Sequence, residues 1–226
     1  MRYKRIHKGI FINRPNRFIA HIEIDGKNEV CHVKNTGRCK ELLIPGTVVY
    51  VEESDNISRK TKYDLIAVEK DKMLVNMDSQ VVNQVVKDWL FAGGLYPKPR
   101  LIQPEYRYRD SRIDFYIEDD MRKALIEVKG VTLEEDGIAA FPDAPTLRGV
   151  KHIKHLVQAI NDGFEAYILF VIQFKPVKYF VPNDKTHPEF GMALREAKEA
   201  GVNILAYDCL VTPDSIKIDE TVDIQL

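Results

Sequence analysis

The chain holds three cysteines, Cys31, Cys39 and Cys209, with no C-x-x-C spacing among them. An odd number without paired spacing gives neither a disulfide framework nor a thiolate zinc site, and it fits a reducing compartment. Long apolar runs are also missing. After a basic start, the stretch GIFI is too short for a signal peptide, and YILFVIQF is far shorter than a bilayer-spanning segment. A soluble, cytoplasmic protein with no membrane contact is expected. There is no charge excess of either sign: the net charge is −1 and the pI about 6.6, so global electrostatics does not mark a nucleic-acid binder. Internal repeats and low-complexity tracts are absent.

What is present is a 226-residue chain with 45% hydrophobic residues, enough for one large domain or two small ones with real cores. Its charges are unevenly placed. Residues 1–17 carry Arg2, Lys4, Arg5, Lys8, Arg14 and Arg17 and no acid, whereas residues 214–226 carry Asp214, Asp219, Glu220 and Asp223 against Lys217. A neutral protein can therefore present a basic face. Between residues 10 and 80, short runs such as FIAHIEID, EVCHVKN and TVVYVEE are bounded by Gly26, Gly37 and Pro45-Gly46. That spacing predicts a small all-β barrel or sandwich.

A helix is expected over 83–95, with Val85, Val86, Trp89 and Leu90 on one side and Gly93-Gly94 at its end. It marks a division into domains 1–82 and 83–226. The second part reads as three strands, a helix over 149–162, the buried run FEAYILFVIQF, a helix over 188–201 and a last strand, VNILAYDCL. Such alternation describes a mixed α/β sheet with helices on its faces.

The stretch SRIDFYIEDDMRKALIEVK, residues 111–129, raises a physical problem. Asp114, Glu127 and Lys129 interrupt apolar strands, where an unpaired charge costs several kcal/mol. The centre of the turn EDDMRK coincides with the midpoint between Asp114 and Glu127, so a symmetric hairpin sets these two acids opposite each other. The same register pairs Ile113 with Val128, Phe115 with Ile126 and Ile117 with Ala124 on one apolar face. Facing carboxylates repel, as do Arg112 and Lys129 in the next pair. A hard divalent cation, Mg²⁺ or Mn²⁺, between Asp114 and Glu127 would compensate, and Lys129 on the same face could steady charge on a phosphate. The alternative is a structural salt bridge from Glu127 to Lys129, with Asp114 on Arg112.

D-x12-E-x-K on a hairpin followed by a helix resembles the PD-(D/E)xK nuclease core. The wider text, with NRF at 16–18, NTGR at 35–38, ELL-PG at 41–46, SRIDF at 111–115, EVK-VTL at 127–133, FPDA-T-RG-KH at 141–152 and GV-ILAY at 201–207, is similar to the sugar fermentation stimulation protein A (SfsA) family. The resemblance implies an OB-like β-barrel followed by a PD-(D/E)xK nuclease-like mixed sheet flanked by helices. It implies DNA as partner, with Asp114, Glu127 and Lys129 catalytic and a metal on the two acids. It leaves open whether the chain cuts phosphodiesters or is a catalytically silent regulator of sugar metabolism genes.

Glu105, on the preceding strand, is a candidate third carboxylate or else a solvated neighbour of Arg107. The prolines and Thr146 of FPDAPTLRGVKH suggest a helix start, with Asp143 as a candidate cap and Val150, Ile153, Val157 and Ile160 as the core stripe. Arg148, Lys151 and His152 would then lie near a helix N-terminus, which attracts phosphate. His152 and His155 lack the third ligand that zinc needs. In the barrel, Arg14, Arg17, Phe18, His32, Lys34, Arg38 and Lys40 mix basic and aromatic groups as single-strand binders do. Arg112 extends the basic set on the hairpin. NTGR reads as a tight turn that places Arg38. A homo-oligomer is compatible with all of this.

Overall fold

The computed structural model describes residues 1–35, 37–56 and 58–226. Thr36, inside the expected NTGR turn, lies outside the described residues. Period-two burial first appears earlier than the sequence suggests, in β1 (Ile6–Asn16), which precedes β2 (Ile19–Ile24), β3 (Lys27–Val33), β4 (Val48–Glu53), β5 (Tyr63–Lys70) and β6 (Met73–Asn76). Asp25 and Gly26 take left-handed φ values of 50° and 74°, the tight hairpin turn expected of an Asp-Gly pair. The strands follow the order β3-β2-β1-β4-β5-β6, and a parallel β3–β5 pairing closes the first five into an OB-type barrel. Register shifts after Phe11 and Asn13 bend β1, which pairs with both β2 and β4. Phe11, Ile22, Cys31, Val33, Val51 and Leu65 fill the interior.

α1 (Val82–Phe91) is shorter than the expected 83–95. Gly93, at φ 85°, accepts the left-handed turn that stops it, and its N–H closes on the Leu90 carbonyl. Then come β7 (Leu101–Tyr108), β8 (Ser111–Glu118), β9 (Lys123–Val131), β10 (Leu133–Glu135), β11 (Ile138–Phe141), α2 (Leu147–Asn161), β12 (Glu165–Ile172), β13 (Tyr179–Pro182), α3 (Pro188–Glu199), β14 (Asn203–Thr212) and β15 (Ser215–Thr221). The main sheet runs β15-β14-β12-β9-β8-β7, with β9, β12 and β14 parallel and the rest antiparallel. β10, β11 and β13 form a small second sheet beyond the elements expected from the sequence.

Alternation sorts the core. Ile126, Val128, Leu169 and Val171 pack with α1, whereas Leu125, Val131, Ile168 and Phe170 pack beneath α2 and α3. α2 differs from expectation: its buried side carries His152, Ile153, His155, Leu156 and Ala159, with Val150, Val157 and Ile160 only partly covered. The helix is rotated so that His152 meets a partner in the sheet. Thr146, not Asp143, caps it by accepting from the Gly149 N–H at 3.0 Å. Among the described residues, no helix is long and apolar enough to cross a membrane.

Barrel and sheet are joined by buried polar groups. Gln173, 1% exposed just past β12, donates to the Asn76 carbonyl, Asn76 Oδ1 and the Asp78 carbonyl, while the Asn76 N–H donates to the Gln173 carbonyl. Residues 1–3 cross to the start of β15, and the Tyr3 N–H donates to the carbonyl of Asp214 just before it. Gln173→Leu keeps the size but takes this donor from the Asn76 and Asp78 carbonyls, while Asn76 Oδ1 keeps the Asp78 N–H. It is expected to cost about 1–3 kcal/mol, seen as a lower denaturation midpoint.

Candidate functional site

Glu127 lies in the sheet interior, flanked by β8 and β12 and only 2% exposed. Its Oε1 takes two donors, Lys129 Nζ at 2.5 Å and His152 Nδ1 from α2. Its Oε2 is buried and has no hydrogen-bond partner. Burial raises the Glu127 pKa, but the His152 hydrogen bond and the Lys129 charge outweigh it and hold the carboxyl below its ordinary value.

Pairing of β8 with β9 follows the expected register from Glu118–Lys123 to Phe115–Ile126 and stops there. Where it stops, Asp114 Oδ2 accepts the Val128 N–H at 2.8 Å, and Asp114 Oδ1 accepts from Asn83 of α1 at 2.9 Å. Ile113 leaves the stripe predicted for it and joins the core beneath α2. Burial and then the Glu127 charge push the Asp114 carboxyl above its ordinary pKa. Asp114 and Glu127 are thus coupled, and Lys129 is 14% exposed beside them.

The remaining candidates are distributed differently. Glu105 has a left-handed backbone, φ 53°, in mid-strand, and its 60% exposed side chain faces Arg112 at 3.9 Å. It does not join Asp114 and Glu127 in a three-carboxylate cluster. The one such cluster among the described residues, Asp208, Asp219 and Glu220, already holds a cation, Lys175, which pairs with all three carboxylates and offsets one of their charges. Arg148 is exposed and reaches His152 Nε2 at 3.4 Å, and Lys151 pairs with Asp110 at 2.8 Å. His152 is buried against Glu127. Its inward orientation had no sequence signal beyond the helical spacing of His152, Leu156 and Ala159.

In the barrel, Arg14 is turned inward. Its guanidinium donates to the carbonyls of Arg17, Asn35, Gly37 and Arg38, so it builds the turn. Lys34 bridges Asp64 and Asp78, and His32 meets Asp64. Arg17, Phe18, Arg38 and Lys40 remain exposed. Arg17, Arg38 and Lys40 line a cleft of about 440 Å³ that has no acid in its walls. Asp143 Oδ2 accepts the N–H groups of Arg38, at 2.5 Å, and Cys39, tying this turn to the loop before α2.

A closed OB-type barrel followed by a mixed α/β sheet, with two acids and a lysine on adjacent strands, defines the class of protein. Residues 12–77 match the SfsA N-terminal OB domain, and residues 80–215 match the sugar fermentation stimulation protein RE domain. Sugar fermentation stimulation protein homologues of Ruminiclostridium cellulolyticum and Clostridium beijerinckii are each 58% identical over 226 residues, covering all of both chains. The structure of Pyrococcus furiosus SfsA in complex with Ca²⁺ is 30% identical, with a TM-score of 0.89 over 100% of this chain and 98% of that one. The chain belongs to the SfsA family.

A pH experiment follows from the raised Asp114 pKa. Its folded-state value lies above the unfolded one, so ionising it opposes folding. Without divalent cations, wild type is expected to gain stability relative to Asp114→Asn as pH falls through the raised value towards 3.8, with a flat difference above that range. Melting temperatures of the two proteins across weakly acidic pH check this.

Proposed function

We propose that the chain is a DNA-binding protein whose C-terminal domain hydrolyses phosphodiesters with a divalent cation on Asp114 and Glu127. The observation that carries this is Glu127 Oε2, buried without a partner beside a second carboxylate whose ionisation is resisted. An all-oxygen donor pair suits Mg²⁺ or Mn²⁺, which keep waters and phosphate oxygens in their other positions. With Glu105 turned outward, the protein supplies Asp114 and Glu127 alone. The 30% identical relative in complex with Ca²⁺ supports a cation in this family.

When bound, such a cation supplies Lewis-acid stabilisation of charge on the phosphate. The chain's own residues do the rest. His152 and Lys129 hold Glu127 Oε1 and leave Oε2 free. Asn83 and the Val128 N–H fix both Asp114 oxygens. Lys129 Nζ, released from Glu127, can stabilise the developing negative charge or hold a proton during in-line attack. Arg17, Arg38 and Lys40 grip phosphates, Phe18 offers an exposed ring for stacking, and Arg112 and Arg148 extend the charged surface beyond the site. Arg14 and His152 act by holding these groups in place, and Lys151 is paired with Asp110.

Millimolar Mg²⁺ or Mn²⁺ is expected to raise the melting temperature of wild type, and chelator to reverse it. Asp114→Asn abolishes the shift. Lys129→Ala keeps it but loses cleavage by about 100-fold or more. His152→Ala weakens the metal response by about 10–100-fold. A wild-type melting curve unmoved by either cation would rule out the nuclease reading.

DNA affinity is expected to fall steeply with added salt, and Arg38→Ala to reduce the slope of log K against log salt by about 1. Binding that is flat between low and physiological salt would remove the phosphate-contact reading.

A further inference from the structure

The basic cleft on the barrel does not end at its own walls. It shares Arg17, Gly37, Ala144 and Pro145 with a second cleft of about 370 Å³ between barrel and sheet, and the two have opposite chemistry. The first carries Arg17, Arg38 and Lys40 and no acid. In the second, apart from the shared Arg17, the lining residues include no cation, and they combine Phe141 with the neutral polar residues Asn35, Thr132, Thr146 and Gln173. Its one acid is Asp143, and a carboxylate there repels phosphate. The second cleft also includes Gly130, the residue after Lys129 on β9.

The wall between the clefts is preorganised from both sides. Arg14 holds the carbonyls of Asn35, Gly37 and Arg38, and Asp143 holds the N–H groups of Arg38 and Cys39, with Cys39 kept at a left-handed φ of 46°. The floor is tight: a Cβ on Gly130 would come within 2.7 Å of Gln173 Oε1 and 2.9 Å of Val82 Cγ2. Such a site costs little ordering when it is filled.

A nucleic-acid strand carries the same alternation, anionic phosphates next to neutral bases with flat apolar faces and hydrogen-bonding edges. The neutral cleft lies at the small end of the about 300–1,000 Å³ range of ligand pockets, which suits one nucleoside and not a base pair with its two backbones. We propose that this cleft receives one unpaired base of the bound DNA, beside the phosphate to be cut, with neighbouring phosphates on Arg17, Arg38 and Lys40. The protein therefore selects DNA that contains an unpaired nucleotide over perfect duplex. A base already out of its pair spares the unstacking energy that a paired base must overcome. This inference rests on the nuclease reading above.

Binding is tested in chelator, so that nothing is cut, with three probes: a perfect duplex, the same duplex with one unpaired adenine, and a single strand. A fluorescent adenine analogue that brightens on unstacking stands at the unpaired position. Wild type is expected to bind the duplex with the unpaired base about tenfold or more tightly than the perfect duplex, with brightening on binding. Ala140→Trp and Ser79→Trp, at residues on the sheet side and the barrel side of the neutral cleft that the basic cleft does not share, are each expected to remove the preference and the brightening. Both keep salt-dependent binding to perfect duplex, and melting curves confirm that they fold. Equal wild-type affinity for the two duplexes overturns the inference while leaving the nuclease reading intact. So does a preference that survives in a folded filled variant. Failure to bind any of the three at low salt overturns both.

Discussion

A carboxylate in the middle of a sheet is tolerated only when something answers its charge, and Glu127 imposes that condition on its neighbours. Lys129 answers from two residues along the same strand face, and His152 answers from α2. The second answer fixes the rotation of α2, whose start is set by Thr146 and Gly149. Asp114, held by α1 and by the backbone of β9, brings a second acid to the same place and resists ionisation there. The three elements that frame the site are thus positioned by polar contacts as well as by apolar packing.

The same logic governs the junction between barrel and sheet. Gln173, Asn76 and Asp78 form a closed set of hydrogen bonds, Lys70 pairs with Glu134, and Asp143 holds the turn that carries Arg38. Each contact demands a specific geometry, so together they fix the register of one unit on the other more sharply than an apolar seam of the same area would. The basic cleft depends on that register because Ala144 and Pro145 in its wall belong to the sheet side.

Much of this was readable from the chain. The hairpin register could be read because the turn EDDMRK and the two acids share a centre. The helices at 82–91, 147–161 and 188–199 were signalled by apolar spacing and by their terminal residues. β10, β11 and β13 were not found, since strands of three or four residues show no periodicity. The role of Arg14 was hidden because its acceptors are backbone carbonyls, which every residue possesses. Asp143 looked like a cap because it precedes a helix, but its partners lie 105 and 104 residues away. The left-handed backbone that turns Glu105 outward leaves no mark in composition either.

The crossing of residues 1–3 onto β15 has a kinetic side. The Met1 and Ile216 backbones meet across 215 residues, so their contact closes a very long loop, one whose closure entropy is offset only after both bodies are in place. In chain order residues 1–3 come long before their partner strand. The barrel can close early, with the Tyr3 hydroxyl accepting from Asn76 of β6, but the Tyr3 N–H must wait for the Asp214 carbonyl at the final hairpin. Late maturation of that latch would give refolding a slow last phase confined to the junction, and it makes a bulky fusion at residue 1 more disruptive than one placed on a barrel loop.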